Sequence, residues 1–263
     1  RQRIAGLLAE RSIGAEPTQV LLTQGANDAL DMIVRQHVEP GDPVLVDSPG
    51  YYPLFGKLRL AKARLIGVRR TADGPDPDDL AAKAASTSAR IFFTQSLAHN
   101  PTGCSITLPV AYRLLRTATE HNLRIVDSDP FADVLSNTSP RLAALDQLDR
   151  VIYVGTFAKT LSASLRSGYI AANAETIARL ADLKMITRAN SSGYIEQIIY
   201  DLITSGRYRG HLKRLIGRIE AATTQANDTL SRLSLPVFGQ PRGGFYMWCE
   251  LPGHIDDTQL SRI

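Results

Sequence analysis

Residues 151–171 read VIYVGTFAKTLSASLRSGYIA. The two flanking pieces, 151–155 and 168–171, are unbroken apolar runs, the pattern of strands covered on both faces. The connection between them carries hydroxyls, one lysine and one arginine. Its lysine, Lys159, sits among small and apolar neighbours, a setting in which an amine is nucleophilic toward carbonyls. Thr156 and Arg166 flank it, and the arginine offers two donors to a phosphate group.

Outward from this stretch, similar runs recur at 20–23, 44–46, 64–68, 91–94 and 124–127. Helical patterns lie between them. One places Ala26, Ala29, Leu30, Ile33 and Val34 on a single side, and another does so with Leu114, Leu115 and Ala118. Alternation of this kind predicts an α/β fold with a mostly parallel central sheet covered by helices. In such sheets ligands bind at the carboxyl ends of the strands. Further on, 211–233 reads as one long helix that Pro236 ends, and 239–251 as a strand pair carrying Trp248. The expected division is a large domain over 1–230 and the start of an incomplete α+β small domain over 231–263. Residues 71–79, with Gly74, Pro75 and Pro77, read as a surface loop. Both ends fall in helix-like sequence, as expected of an excerpt from a longer protein.

Composition narrows the function classes. The 263 residues are 44% hydrophobic and carry a formal charge of +4, which suffices for a sizeable core. The basic residues are scattered without an aromatic-interleaved stripe, so nucleic-acid binding by this segment is not indicated. Cys104 and Cys249 stand far apart and the five histidines show no metal-ligand spacing, so no metal is expected. No apolar run reaches transmembrane length. Cytoplasmic residence is the expectation from this cysteine usage.

Residues with chemistry gather in the loops that follow the strands. Gly25-Ala26-Asn27 opens a helix whose first N–H groups can bind an anion, although alone it reads first as an ordinary helix start. Tyr51 and Tyr52 sit on a Pro/Gly loop, where a ring face can meet a flat heterocycle. Gly56-Lys57 lacks the spacing and hydroxyl of a nucleotide loop and is rejected. His99-Asn100-Pro101-Thr102-Gly103 is a rigid turn presenting the Asn100 amide. Asp127-Ser128-Asp129-Pro130-Phe131 puts carboxylates at a strand mouth, where a protonated ring nitrogen would serve as counter-ion.

In this order the strings resemble the class I/II aminotransferases, the fold-type-I enzymes that use pyridoxal 5′-phosphate (PLP). The wording is similar to the subgroup of aminoadipate-type aminotransferases and the aminotransferase-like domains of MocR-type transcription regulators. The resemblance implies the PLP-transferase large domain, with PLP held as a Schiff base on Lys159. It implies a phosphate site made by Gly25, Ala26, Asn27, Thr156 and Arg166. Tyr51 then stacks on the ring, and Asn100 bonds its 3′-oxygen. Amino acids and 2-oxo acids are the implied substrates, and a homodimer the implied assembly. The chain departs from the family at one loop: an aspartate three residues before a tyrosine is replaced by Ser128 and Phe131. Asp129 is then the favoured partner of the pyridine nitrogen, with Asp127 as the alternative. Two family elements find no counterpart in this chain, the N-terminal segment that enters the partner's site and the small-domain arginine that clamps the substrate carboxylate. A second reading is the PLP-binding effector-sensing domain of a MocR/GntR-type regulator, with a DNA-binding domain upstream. A third is a decarboxylase or lyase of the same fold.

Overall fold

In the computed structural model, residues 1–135, 141–239, 241, 243–253 and 255–261 are described. In chain order the elements are α1 (Gln2–Ala9), β1 (Val20–Thr23), α2 (Ala26–His37), β2 (Pro43–Ser48), α3 (Tyr52–Leu60) and β3 (Arg64–Thr71). Then come β4 (Gly74–Pro75), α4 (Pro77–Ser86), β5 (Ile91–Thr94), α5 (Leu108–Glu120), β6 (Arg124–Asp129) and α6 (Leu142–Asp146). The last are β7 (Val151–Thr156), β8 (Gly168–Ala171), α7 (Ala174–Arg188), α8 (Gly193–Thr204), α9 (Arg207–Arg232) and α10 (Asp257–Leu260).

The strands form one sheet in the order β1-β8-β7-β6-β5-β2-β3-β4. The pairs β7–β6, β6–β5, β5–β2 and β2–β3 are parallel, while β8 runs against both β1 and β7. The fold is therefore α/β with a mostly parallel sheet, as the apolar runs predict.

Alternation along each strand feeds two separate cores. Leu21, Val46, Phe93, Val126, Val154 and Ile170 pack on one face against α2, α3 and α7. Val20, Leu45, Phe92, Ile125, Tyr153 and Ala171 pack on the other, against α1, α4, α5 and α6. Of the stripe expected on α2, Ala29, Leu30, Ile33 and Val34 are buried, joined by Met32, and Ala26 is partly buried.

Two expectations need correction. Residues 71–79 are not a surface loop. Thr71 ends β3, Gly74–Pro75 pairs back onto it, and residues 74–77 are buried. The Asp76 side chain accepts from the N–H groups of Asp78 (2.9 Å) and Asp79 (3.2 Å), which starts α4 with Pro77 in its first turn. The strand pair expected over 239–251 reduces, among the described residues, to one antiparallel bridge between Val237 and Cys249. Gly243 and Gly244 both adopt φ +77°, which no extended strand accommodates.

The close approach of three backbones positions everything that follows. Gly168 pairs with Thr23 on one side and Thr156 on the other. A methyl group at Gly168 would lie 2.7 Å from the Gly155 carbonyl oxygen and 2.9 Å from Gly25 Cα, all main-chain atoms that cannot swing aside. Gly168→Ala is expected to cost about 1–3 kcal/mol, as overpacking of a filled interior does. Chemical denaturation measures this, and an unchanged midpoint would contradict the packing described.

Candidate active site

Lys159, Thr156, Arg166, Gly25, Ala26, Asn27, Tyr51 and Asn100 all line one cavity of about 170 Å³ at the carboxyl ends of β1, β5, β6 and β7. Eight of the nine residues expected at the site are thus brought together. Asp129 is not.

One end of the cavity is built to hold an anion. Gly25 turns at φ +89° before α2, whose first intrahelical bonds are donated by Asp28 and Ala29 to the Gly25 carbonyl. The Ala26 and Asn27 N–H groups precede those bonds and point outward with the positive end of the helix dipole. The Arg166 guanidinium stands beside them, 3.8 Å from where a Gly25 Cβ would be. Arg166 itself has φ +45° and no side-chain partner among the described residues. Asp28, the one acid in that helical turn, is occupied by Arg188 at 2.7 Å and by the Gln24 N–H at 2.9 Å. Thr156 lines this end, but its hydroxyl donates to the Ser167 carbonyl (3.1 Å) and accepts from the Ala158 N–H (3.1 Å). It shapes the loop.

Lys159 reaches the cavity from an exposed position just after β7. The next residue is anchored from α9: the Thr160 and Tyr208 hydroxyls are hydrogen-bonded at 2.8 Å, and the Thr160 carbonyl meets His211 Nε2 at 2.6 Å. Asn100 is held by its N–H, which donates to Gln95 Oε1 at 3.2 Å, while Gln95 Nε2 donates to the Ala98 carbonyl at 3.1 Å. Tyr51 is half-buried, and burial, aided by Tyr246 and Tyr52 and opposed by Arg166, raises its pKa.

Beneath the site lies a buried charge cluster. Asp47 accepts from Arg70 (2.8 Å), the Thr94 hydroxyl (2.9 Å) and the Gln95 N–H (3.2 Å). Burial alone would raise its pKa, yet Arg70 and His99 outweigh that and hold it low. Burial and Arg70 push His99 down to about 4, so this imidazole is neutral.

The placement of Asp129 at the ring nitrogen is corrected by strand phase. On β6, Ile125 and Val126 belong to opposite cores, so Asp127 and Asp129 share the Ile125 face and Ser128 the Val126 face. Asp129 accepts from Arg141 Nε and the Tyr153 hydroxyl, each at 2.9 Å. Asp127 accepts from the Ser96 N–H (3.0 Å) and hydroxyl (2.7 Å). Ser128 lines the cavity in their place.

Sequence reasoning missed Gln95 and Tyr246, which also line it. Tyr246 arrives from the far end of the chain because Gly243 and Gly244 fold that segment against Leu135 and Ala98. No periodicity marks such a residue, although its place two positions after a double glycine was a usable signal.

The family description "Aminotransferase class I and II" matches residues 1–263. The chain belongs to this family. It is 29% identical over 259 residues to 2-aminoadipate transaminase of Thermus thermophilus, covering 95% of this chain and 64% of that protein. With (S)-3,5-dihydroxyphenylglycine transaminase of Amycolatopsis orientalis it shares 31% over 281 residues, covering 98% and 63%. With the HTH-type transcriptional regulator TauR of Rhodobacter capsulatus it shares 28% over 264 residues, covering 97% and 52%. The crystal structure of LysN, the alpha-aminoadipate aminotransferase of T. thermophilus complexed with N-(5′-phosphopyridoxyl)-L-leucine, superposes with a TM-score of 0.89 at 28% identity. That match covers 99% of this chain and 68% of the other. The chain thus spans between about half and two-thirds of the length of these curated relatives.

Asp127 gives the site's surroundings a pH signature. Burial and the neighbouring Asp129 raise it to about 7, against the bonds from Ser96. Between roughly pH 4 and 7 the folded chain keeps a proton there that the unfolded chain releases. Stability from this group is therefore complete below about pH 4 and lost as pH rises through about 7. Urea unfolding at about pH 5 and about pH 8 should show wild type losing stability relative to Asp127→Asn. Parallel pH profiles would contradict the assignment.

Proposed function

We propose that this chain binds PLP through Lys159 and, in its full-length protein, moves an amino group between an amino acid and a 2-oxo acid. The observation that carries the reading is the convergence of an amine, an anion cradle and an aromatic shelf on one cavity. The residues fit the cofactor: Gly25 turns at φ +89° with its open side toward the Arg166 guanidinium, and the donors there are two helix N–H groups and that guanidinium.

When bound, PLP supplies an aldehyde that exchanges amines and a ring that draws electrons from the substrate α-carbon. Ala26, Asn27 and Arg166 anchor the phosphate, and Thr156 fixes the loop that carries the lysine. Tyr51 presents a ring face to the heterocycle, and Asn100 donates its amide to the 3′-oxygen. Lys159 Nζ would tether the aldehyde and, when free, would hold the proton that leaves the substrate α-carbon. Phe131 and Tyr246, packed edge to face at 5.9 Å, keep water from that side.

The wider assignments belong to the same proposal. Residues 1–230 form the PLP-binding domain and 231–263 begin a second one. A second copy of the chain is the expected partner, because Tyr52, Met185, Ile186 and Tyr194 are apolar and exposed. No helix among the described residues is long and apolar enough to cross a membrane, and we place the protein in the cytoplasm.

The second reading is an effector-sensing domain that binds PLP and an amino acid without sustained turnover. Ser128 and Phe131 in the cavity favour it, as does the likeness to a regulator.

Borohydride reduction of the PLP-loaded protein, followed by peptide mass spectrometry, should find the phosphopyridoxyl group on Lys159. A label on any other lysine, or none, would refute the assignment. With a panel of amino acids, aminated cofactor and released keto acid support the enzyme. A spectral shift that reverses on dialysis without keto acid supports the sensor.

A further inference from the structure

We propose that Ser128 is the partner of the cofactor's ring nitrogen and leaves that nitrogen without a proton. The proposal rests on the reading that the cavity takes PLP. With the aldehyde carbon toward Lys159, the ring nitrogen, on the opposite side of the ring, would be directed away from the amine, toward the floor of the cavity. Four residues form that floor, since they line both the cavity and a void of about 30 Å³ beneath it: Leu30, Tyr51, Gln95 and Ser128. Leu30 has no polar atom. The Gln95 amide is committed to the Leu97 and Ala98 carbonyls and its oxygen to the Asn100 N–H. Tyr51 is needed as the shelf. The Ser128 hydroxyl has no partner among the described residues.

Electrostatics decides the protonation state. A pyridine nitrogen keeps a proton near neutral pH only where a neighbouring anion stabilises the cation. Among the described residues no Asp or Glu lines this cavity, whereas Lys159 and Arg166 both do. Asp127 and Asp129 face the opposite core. Across the small void, Asp47 is balanced by the buried Arg70, and His99 beside it is neutral. Among the described residues the other titratable groups on the cavity are the hydroxyls of Tyr51 and Tyr246. A serine hydroxyl has one proton to give, which suits a bare nitrogen lone pair. An unprotonated ring draws fewer electrons from the substrate α-carbon, so proton release there is slow and a bound amino acid persists. This weights the site toward retaining its ligand.

The test uses PLP labelled with ¹⁵N in the ring, bound to the full-length protein and followed by NMR from roughly pH 6 to roughly pH 9. Wild type should show the resonance of an unprotonated, hydrogen-bonded nitrogen throughout. Ser128→Ala should move it further, to that of a nitrogen with no donor. Ser128→Asp should move it the opposite way, to the protonated position, and should speed the conversion of bound PLP to its aminated form by an added amino acid. A protonated resonance in wild type, or no movement in Ser128→Ala, overturns the proposal. Failure of wild type to retain the labelled cofactor on Lys159 overturns instead the reading of the cavity on which it rests. The alanine variant keeps the test decisive if the aspartate variant does not fold.

Discussion

The structure turns on how near three stretches of main chain come to one another at the end of the sheet. Gly168 lies in register between Thr23 and Thr156, with its Cα facing the backbones of Gly25 and Gly155. That packing brings the amino end of α2 against the β7–β8 connection, which carries both Lys159 and Arg166. Any side chain at Gly168 would wedge the two apart, and the anion cradle would open. The antiparallel placement of β8 is what makes this possible, because it returns the chain from Arg166 directly to the strand beside β1.

Around that junction, charge is arranged by face. Carboxylates on the α1 and α5 side of the sheet are matched within the interior: Asp129 with Arg141 and Tyr153, and Asp133 with Arg11 and Tyr208. Asp47 and Arg70 form a further buried pair below the cavity. Removing one member of such a pair leaves an uncompensated charge, so these groups are tied to their positions and cannot be lent to a ligand. The cavity is left with cations and neutral polar groups. That suits an anionic, aldehyde-bearing cofactor and gives no acid to its ring.

Much of this was legible in the sequence. Buried strands announce themselves as unbroken apolar runs, and the seven expected between residues 20 and 171 exist, whereas the pair expected over 239–251 does not. Lys159 and Arg166 stood out because a hydroxyl, a lysine and an arginine share one strand-to-strand connection, whereas Gly25, Tyr51 and Asn100 took their roles from the ordered resemblance to the family. Asp129 was misplaced because composition says only that acids lie at the mouth of β6. Which residue there faces the cavity depends on strand phase; it is Ser128, on the Val126 face, and the unbroken apolar run of β6 does not announce that phase. Gln95 was not legible, since it reaches the site through tertiary packing, and Tyr246 had one local cue, its place two positions after a double glycine. The buried start of α4 was hidden by a Gly/Pro-rich stretch whose capping aspartate, Asp76, was the overlooked cue.

The central claim is that the cradle formed by α2 and Arg166 holds a phosphate while Lys159 holds an aldehyde. The most direct measurement compares the affinity of the full-length protein for PLP and for pyridoxal, which lacks the phosphate, in wild type and in Arg166→Ala. PLP is expected to bind at least roughly a hundredfold more tightly than pyridoxal, about 2.7 kcal/mol, with most of that difference gone in the variant. Equal affinities for the two compounds, or a difference untouched by loss of the guanidinium, would contradict the account.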